Sequence, residues 1–204
     1  MKVKICGHTR VEDIAFSAIA GAHAVGVVFG FPSSPRNTSE ELARRLRSSV
    51  PPFTECVLVT NEDGIKRANS LGFKTVQLVA KPERLSLIRE QNPELRIIPV
   101  FYVGKELDQS VLRFYLEFEL VLLDTKSEKP GGAGVPHDWS VSKLVSKELG
   151  RVVLAGGLTP QNVEEAIRVV EPYAVDVSSG VECSPGVKDH KKVSEFIRRA
   201  MSVG

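Results

Sequence analysis

Short apolar runs alternate with longer amphipathic segments along the whole chain. Several runs are apolar at nearly every position and rich in β-branched residues, which is typical of parallel strands that are covered on both faces. This pattern predicts strands at 3–6, 24–29, 55–60, 75–79, 96–103, 120–124, 151–156 and 173–178.

A helix signal follows each predicted strand. Thr9 with Glu12 and Thr38 with Glu41 have the spacing of capping boxes, and Asn61 is placed to cap a helix over 62–71. Helical periodicity also covers 82–90, 106–117, 137–149, 160–170 and 190–201. Further starts are indicated by Pro82, Thr159 with Pro160, and Asp189, and helix ends by Gly21 and Gly72.

Two architectures fit alternating strands and helices, an open doubly wound sheet and a closed barrel. About eight strand–helix units with no break in composition favour the barrel, and no glycine-rich dinucleotide fingerprint follows the first strand. We therefore expect an α/β protein with a single (β/α)8 TIM barrel as one catalytic domain over 1–204.

Composition restricts the choice of partners. The 204 residues include 27 basic and 25 acidic side chains, so a net charge of +2 gives no case for a nucleic-acid or membrane partner. Three cysteines without a CxxC pair argue against a disulfide scaffold and favour the cytoplasm. The sequence predicts no signal peptide and no apolar run of about 18 residues that could span a bilayer.

In a barrel of this kind, chemistry takes place at the carboxyl ends of the strands. The side chains expected there include Cys6, Arg36, Asp124 and Asp176. Cys56 lies inside a predicted strand and is expected in the core, whereas Cys183 is expected in the loop after strand eight. The loop 125–137 is interpreted as a mobile active-site loop. Cys6, His8 and Cys183 match no zinc-site spacing, so no metal is expected.

Glycines after the last two strands predict a phosphate site. Gly156 and Gly157 precede a predicted helix, and Ser179 and Gly180 follow strand eight. Glycines let backbone N–H groups approach an anion closely, and loops seven and eight often bind phosphate in this fold. A phosphosugar is the expected class of ligand.

Six segments carry a resemblance to a known family. They are "KICGHT" (4–9), "GAHAVGVVFGFPSSPR" (21–36), "LLD" (122–124), "GGAGVPHDW" (131–139), "LAGGLTPQNV" (154–163) and "DVSSGVECSPGVKD" (176–189). The chain resembles the phosphoribosylanthranilate isomerases, barrel enzymes of tryptophan biosynthesis. Each segment alone is a weak signal, but the ordered set is specific.

The resemblance implies a cofactor-independent Amadori rearrangement. N-(5-phosphoribosyl)anthranilate becomes 1-(2-carboxyphenylamino)-1-deoxyribulose 5-phosphate by general acid–base catalysis. By position in the motifs, Cys6 is the expected general base and Asp124 the general acid. Arg36 is expected to bind the anthranilate carboxylate, and Asp176 is the family's pocket aspartate. The expected partner is this small molecule, for a protein that is a monomer or a homodimer.

Two departures from the family pattern leave questions open. His8 replaces an aliphatic residue, and either tunes the Cys6 thiol or is an exposed residue of the capping turn. Val79 and Ala80 replace a histidine and a glycine after strand four. Two alternatives remain: another phosphosugar barrel such as indole-glycerol-phosphate synthase, and a weakened barrel acting as a sensor or scaffold. The synthase needs a lysine at a strand tip, whereas Lys4 lies inside strand one.

Overall fold

Eight parallel strands close into a barrel in sequential order, β1 to β8, in a computed structural model that describes residues 1–104, 109–125 and 139–203. The predicted (β/α)8 fold is confirmed. The strands are β1 (Lys2–Ile5), β2 (Ala24–Val28), β3 (Glu55–Asn61), β4 (Thr75–Val79), β5 (Arg96–Val103), β6 (Val121–Thr125), β7 (Val152–Leu154) and β8 (Ala174–Val177). A short antiparallel pair, β9 (Glu182–Ser184) and β10 (Val187–Lys188), follows the barrel.

Helices connect the strands on the outside of the barrel. In the described residues they are α1 (Val11–Ile19), α2 (Glu40–Ser48), α3 (Leu85–Gln91), α4 (Gln109–Leu112), α5 (Trp139–Leu149), α6 (Val163–Val170) and α7 (His190–Met201). Short 3-10 helices cover Gly64–Arg67, Pro82–Arg84 and Ser179–Val181. Each predicted strand lies within two residues of the observed one, because its apolar run is buried on both faces.

The two faces of each strand enter different parts of the core. Val100, Leu122, Val153 and Ala174 are paired in register across β5 to β8 and form one buried cluster. Side chains alternate along a strand, and the next residue, Leu123, packs in the separate cluster between strands and helices. The barrel interior is therefore filled by side chains, as expected for this fold.

The outer helices bury one apolar stripe each. In α7, Val193, Phe196, Ile197 and Ala200 recur at intervals of three and four residues and are all buried. Phe196 is fully buried in a cluster with residues of β1, β7 and β8. Replacing a buried phenylalanine by alanine costs about 3–5 kcal/mol, so this helix contributes strongly to the closed barrel.

Both predicted capping boxes are wrong by one position, since Arg10 and Ser39 are the residues that precede α1 and α2. The hydroxyl of Thr9 donates to the Gly186 carbonyl at 2.6 Å instead of capping α1. Thr38 donates to the Val28 carbonyl at 2.8 Å, and Ser39 is the residue that caps α2. Threonine hydroxyls also bond to nearby backbone carbonyls, and here these tertiary contacts compete successfully with the helix ends.

Other helix signals are placed correctly, although several helices are shorter than predicted, among them the one predicted over 106–117, which ends at Leu112. Asp189 caps α7 through two backbone N–H groups, and Pro82 opens the turn before α3. Asn61 accepts hydrogen bonds from two backbone N–H groups, but only one 3-10 turn follows it. The helix predicted from Pro160 begins at Val163. Most of the predicted loop 125–137 lies outside the described residues.

A cavity of about 640 Å³ opens at the amino ends of the strands. Its lining includes Lys2, Glu55, Thr75 and Arg96, which begin β1, β3, β4 and β5. This end is opposite the predicted catalytic residues. Catalytic residues are not expected at this face of a (β/α)8 barrel, where side chains contribute to stability.

Candidate active site

Cys6 lies directly after β1, at the carboxyl end of the barrel. Its backbone N–H donates to the Val177 carbonyl at 2.8 Å, which fixes the strand tip against β8. Its side chain is buried in a small cluster with Val28, Val59 and the half-buried Phe31. The thiol is therefore held at the mouth of the barrel among apolar groups, as the sequence predicts for its position.

A network of three hydrogen-bonded polar side chains spans the barrel interior directly below Cys6. The ammonium of Lys4 donates to Asp176 Oδ1 at 3.0 Å and to Gln77 Oε1 at 2.9 Å. The side chains of Lys4 and Asp176 are only 8% and 7% exposed. A buried carboxylate needs a partner, and Lys4 is that partner for Asp176. Its contact with substrate stays a prediction.

The ionisation of Cys6 is set by opposing influences. Burial raises the pKa of the thiol above its usual value, and the positive charges of Lys4 and Lys188 lower it, while Asp176 raises it. The net direction is upward. Burial therefore opposes ionisation of the thiol, and the two buried cations favour the thiolate that a base requires.

His8 is fully buried, so it is not an exposed residue of the capping turn. Its Nε2 lies 3.0 Å from the Ser17 hydroxyl, and its Nδ1 lies 3.4 Å from the Gly26 carbonyl. Burial, followed by the charge of Lys188, lowers the pKa of His8 to about 3. The ring is therefore neutral near neutral pH and does not supply positive charge to Cys6.

The Arg36 side chain is held in a buried ion pair rather than exposed to solvent. Its Nε and Nη2 donate to the two carboxylate oxygens of Glu182 at 2.8 and 2.6 Å. Lys188 also donates to Glu182, at 2.8 Å, and to the carbonyl of Cys6. The β9–β10 hairpin thus ties Arg36 to the strand tip that carries the thiol.

Asp124 is the penultimate residue of β6 and is half-buried. It lies two residues beyond Leu122, which points into the barrel, so the alternation of side chains puts it on the interior face. Tyr102 is its register partner on β5, and burial together with the negative charge of Asp124 raises the pKa of that phenol. The predicted acid is therefore at the carboxyl end, as expected.

The loops after β7 and β8 are brought together. Gly156 and Gly157 adopt φ values of 82° and 68°, which favour glycine. A Cβ on Gly180 would lie 2.0 Å from the Leu158 carbonyl oxygen, so the two loops touch. Ser179 is exposed and begins the 3-10 turn there. The four predicted phosphate residues therefore surround one corner of the mouth.

Several functional candidates escape prediction from sequence alone. Lys4, Gln77, Glu182 and Lys188 are buried polar residues, each with a hydrogen-bond or ion-pair partner at or below the mouth. The signal that could have found Lys4 is its position on the inward face of an otherwise apolar strand, two residues before Cys6. Glu182 and Lys188 lie in the hairpin after β8, where sequence pattern gives no partner.

Two kinds of site are absent from the described residues. No group of three or more histidine, cysteine or acidic residues there could hold a metal ion. No helix in the same part of the chain is long and apolar enough to cross a bilayer.

A thiol and a carboxyl group at the catalytic end of a closed barrel, beside two glycine-rich loops, define the class: a (β/α)8-barrel enzyme. Residues 3–199 match the family model described as N-(5'-phosphoribosyl)anthranilate (PRA) isomerase. The chain belongs to that family, and it is an isomerase, as the sequence motifs predict.

Individual relatives agree over the full length. The N-(5'-phosphoribosyl)anthranilate isomerase of Methanopyrus kandleri is 42% identical, with 100% of both chains covered. A phosphoribosylanthranilate isomerase crystallised with reduced 1-(o-carboxyphenylamino)-1-deoxyribulose 5-phosphate has a TM-score of 0.86 at 39% identity, with 99% of each chain covered. Monomers generated from the dimeric Thermotoga maritima enzyme give a TM-score of 0.84 at 37% identity, again with 99% of each chain covered.

Proposed function

We propose that Cys6 is the general base and Asp124 the general acid with which this isomerase converts N-(5-phosphoribosyl)anthranilate to the 1-deoxyribulose 5-phosphate product. The observation that carries the proposal is the position of these two groups. They lie at the carboxyl ends of β1 and β6, which are separated by two strands around the closed barrel. A substrate in the mouth would meet one group from each side.

Each step of the reaction needs one of these groups. Asp124, carrying a proton, donates it to the furanose ring oxygen as the ring opens. Cys6, as a thiolate, then removes the proton from the second carbon of the sugar to give an enolamine. The enolamine ketonises to the product as its first carbon gains a proton and its 2-hydroxyl loses one. General acid–base catalysis contributes typically 10²–10⁴-fold to a rate, so loss of either group should be severe but should leave binding intact.

Substrate binding follows from the charges around the mouth. The glycine loops at 156–157 and 179–180 are the proposed phosphate site, where backbone N–H groups and the Ser179 hydroxyl can donate. Arg36 is proposed to bind the anthranilate carboxylate, because a planar guanidinium suits a carboxylate.

The decisive experiment generates the substrate in situ and follows the loss of its fluorescence. Wild type should turn over, whereas Cys6→Ser and Asp124→Asn should lose at least about a hundredfold in kcat while keeping the wild-type thermal midpoint. Cys56→Ser is the matched control, since Cys56 is also buried and burial raises its pKa to about 12. Wild-type turnover by Cys6→Ser would refute the base assignment.

The same assay decides between the isomerase and the alternatives. A sensor or scaffold would bind the phosphosugar without turnover by wild type. A synthase acting on the isomerase product would leave the supplied substrate unchanged. Lys4 does not favour the synthase, because its ammonium is buried against Asp176 below the mouth rather than standing at a strand tip.

Three broader features remain proposals. We expect residues 1–204 to act as one catalytic domain, and the enzyme to work in the cytoplasm, where its three free thiols would stay reduced. The quaternary structure is predicted to be a monomer or a homodimer. Light scattering on the purified protein separates these two states.

A further inference from the structure

Lys4 and Cys6 share the inward face of the first strand. They are two residues apart, and side chains alternate with a period of two along a strand, so both point into the barrel. Both residues are almost completely buried. A buried lysine is rare unless it is paired, and its location directly below a proposed catalytic thiol calls for a reason beyond packing.

Gly26 on β2 is where the two side chains meet. A Cβ built on this glycine would lie 2.7 Å from Cys6 Sγ and 3.1 Å from Lys4 Nζ. The thiol and the ammonium therefore approach the same point of the neighbouring strand, which has no side chain there. Glycine inside a strand commonly marks such a close approach.

The charges around the thiol act unequally. They come from Lys4, Asp176, Lys188 and Arg36, and the nearby His8 is neutral. After burial itself, Lys4 has the largest influence on Cys6, by charge and by a hydrogen bond, and it lowers the pKa of the thiol. Burial lowers the pKa of Lys4, but Asp176 and Cys6 raise it by more, so the ammonium stays charged.

We propose that Lys4 is a positioning residue for the proposed base Cys6. The ammonium of Lys4 stabilises the thiolate of Cys6 from inside the barrel. Asp176 and Gln77 hold that ammonium in place through their bonds of 3.0 and 2.9 Å. The inference deepens the proposed function and rests on it where turnover is concerned, but the ionisation of the thiol can be measured without turnover. Lys4 need not touch the substrate to act in this way.

The test compares Lys4→Met with Lys2→Met, an exposed lysine of the same strand. The ionisation of Cys6 is followed by the ultraviolet absorbance of its thiolate, with the matching Cys6→Ser protein subtracted in each case. Lys4→Met should raise the pH at the midpoint of the Cys6 titration by at least about one unit. At a pH below the midpoint, this shift lowers the thiolate fraction about tenfold. The acid limb of the kcat/KM profile should move with it, and Lys2→Met should change neither.

A folded Lys4→Met protein in which Cys6 titrates with the wild-type midpoint pH would overturn the proposal. If the buried Asp176 left alone prevents folding, the double variant Lys4→Met/Asp176→Asn removes both charges. Because Lys4 outweighs Asp176 at the thiol, the midpoint should still rise, and an unchanged or lower midpoint would count against Lys4.

The two proposals fail separately. If Cys6→Ser retained turnover while Lys4→Met raised the thiol midpoint, the base assignment would fall and the electrostatic role of Lys4 would stand. If Cys6→Ser abolished turnover while Lys4→Met left the midpoint unchanged, the base would stand and the role of Lys4 would fall.

Discussion

Arg36 and Glu182 form a bidentate ion pair at the mouth of the barrel, with N–O distances of 2.8 and 2.6 Å and side chains 10% and 5% exposed. Glu182 occupies the guanidinium edge made by Nε and Nη2. Five N–H donors in a planar fork allow arginine to serve a second carboxylate from its other edge. The pair therefore fixes the guanidinium plane, and the proposed anthranilate contact would use Nη1.

Arg36→Lys should raise KM by about tenfold or more and change kcat by less than about threefold, since it removes binding common to ground and transition states. A lysine carries one point of charge, so it can satisfy Glu182 or the substrate but not both in a fixed plane. Steady-state kinetics in the fluorescence assay measures the split.

Arg44→Lys is the control for this change, because Arg44 is exposed on α2. It should leave both constants at the wild-type values. An Arg36→Lys enzyme with unchanged KM would show that Arg36 only braces the hairpin through Glu182.

Gly157→Asp should raise KM at least about tenfold, because it adds a negative charge where the phosphate is proposed to bind. Aspartate tolerates a positive φ better than most residues, so the backbone at 68° should persist. The measurement is KM for the substrate together with the inhibition constant of inorganic phosphate, and both should weaken in parallel.

Gly150→Asp is the matched control for the phosphate prediction. Gly150 also has a positive φ, 79°, and a Cβ there would meet nothing within 4 Å. It should alter stability slightly and leave KM unchanged. A Gly157→Asp enzyme that retained wild-type KM and phosphate inhibition would place the phosphate elsewhere.

Mild acid should destabilise the protein through His8. Its pKa is about 3 in the folded protein against 6.5 for an ordinary histidine. The unfolded chain therefore binds more protons between these values, so the stability from the neutral ring is complete above pH 6.5 and is lost as pH falls toward 3. Between about pH 7.5 and pH 5 the loss is about 2 kcal/mol.

Urea unfolding at the two pH values measures the effect of His8. His8→Gln, which cannot titrate, should show a smaller drop in the free energy of unfolding by about that amount. An equal drop in wild type and His8→Gln would contradict the prediction.

Gly26→Ala should lower kcat by about tenfold or more while the barrel still folds. The added methyl would lie 2.7 Å from Cys6 Sγ, so the thiol must move away from its place at the mouth. An error of about 1 Å in a catalytic group can cost on the order of a hundredfold. Single-turnover kinetics reports the chemical step directly.

Val27→Ala is the control on the same strand. Val27 is buried in the cluster between strands and helices, away from the thiol. It should lower the thermal midpoint and leave kcat near wild type. Normal turnover by Gly26→Ala would mean that the position of Cys6 is not critical.

Short sequence patterns predict the strands of this barrel well and the helix starts poorly. The strands were found because parallel strands buried on both faces must be apolar, as in 96–103, where the observed bounds are the predicted ones. Helix starts are harder to predict, because Thr9 and Thr38 donate to carbonyls outside the helices instead of capping them. Asp189 succeeded as a cap because no such competitor engages its carboxylate in the described structure.

The sequence by itself determined the barrel, the family and the positions of Cys6, Asp124 and the glycine loops, since these depend on periodicity and on motifs read in order. Only the tertiary structure decided which charges meet. Lys4 contacts Asp176 across 172 residues of sequence, and Arg36 contacts Glu182 across 146. Closure of the barrel brings these groups together, and burial then makes each charge depend on its partner.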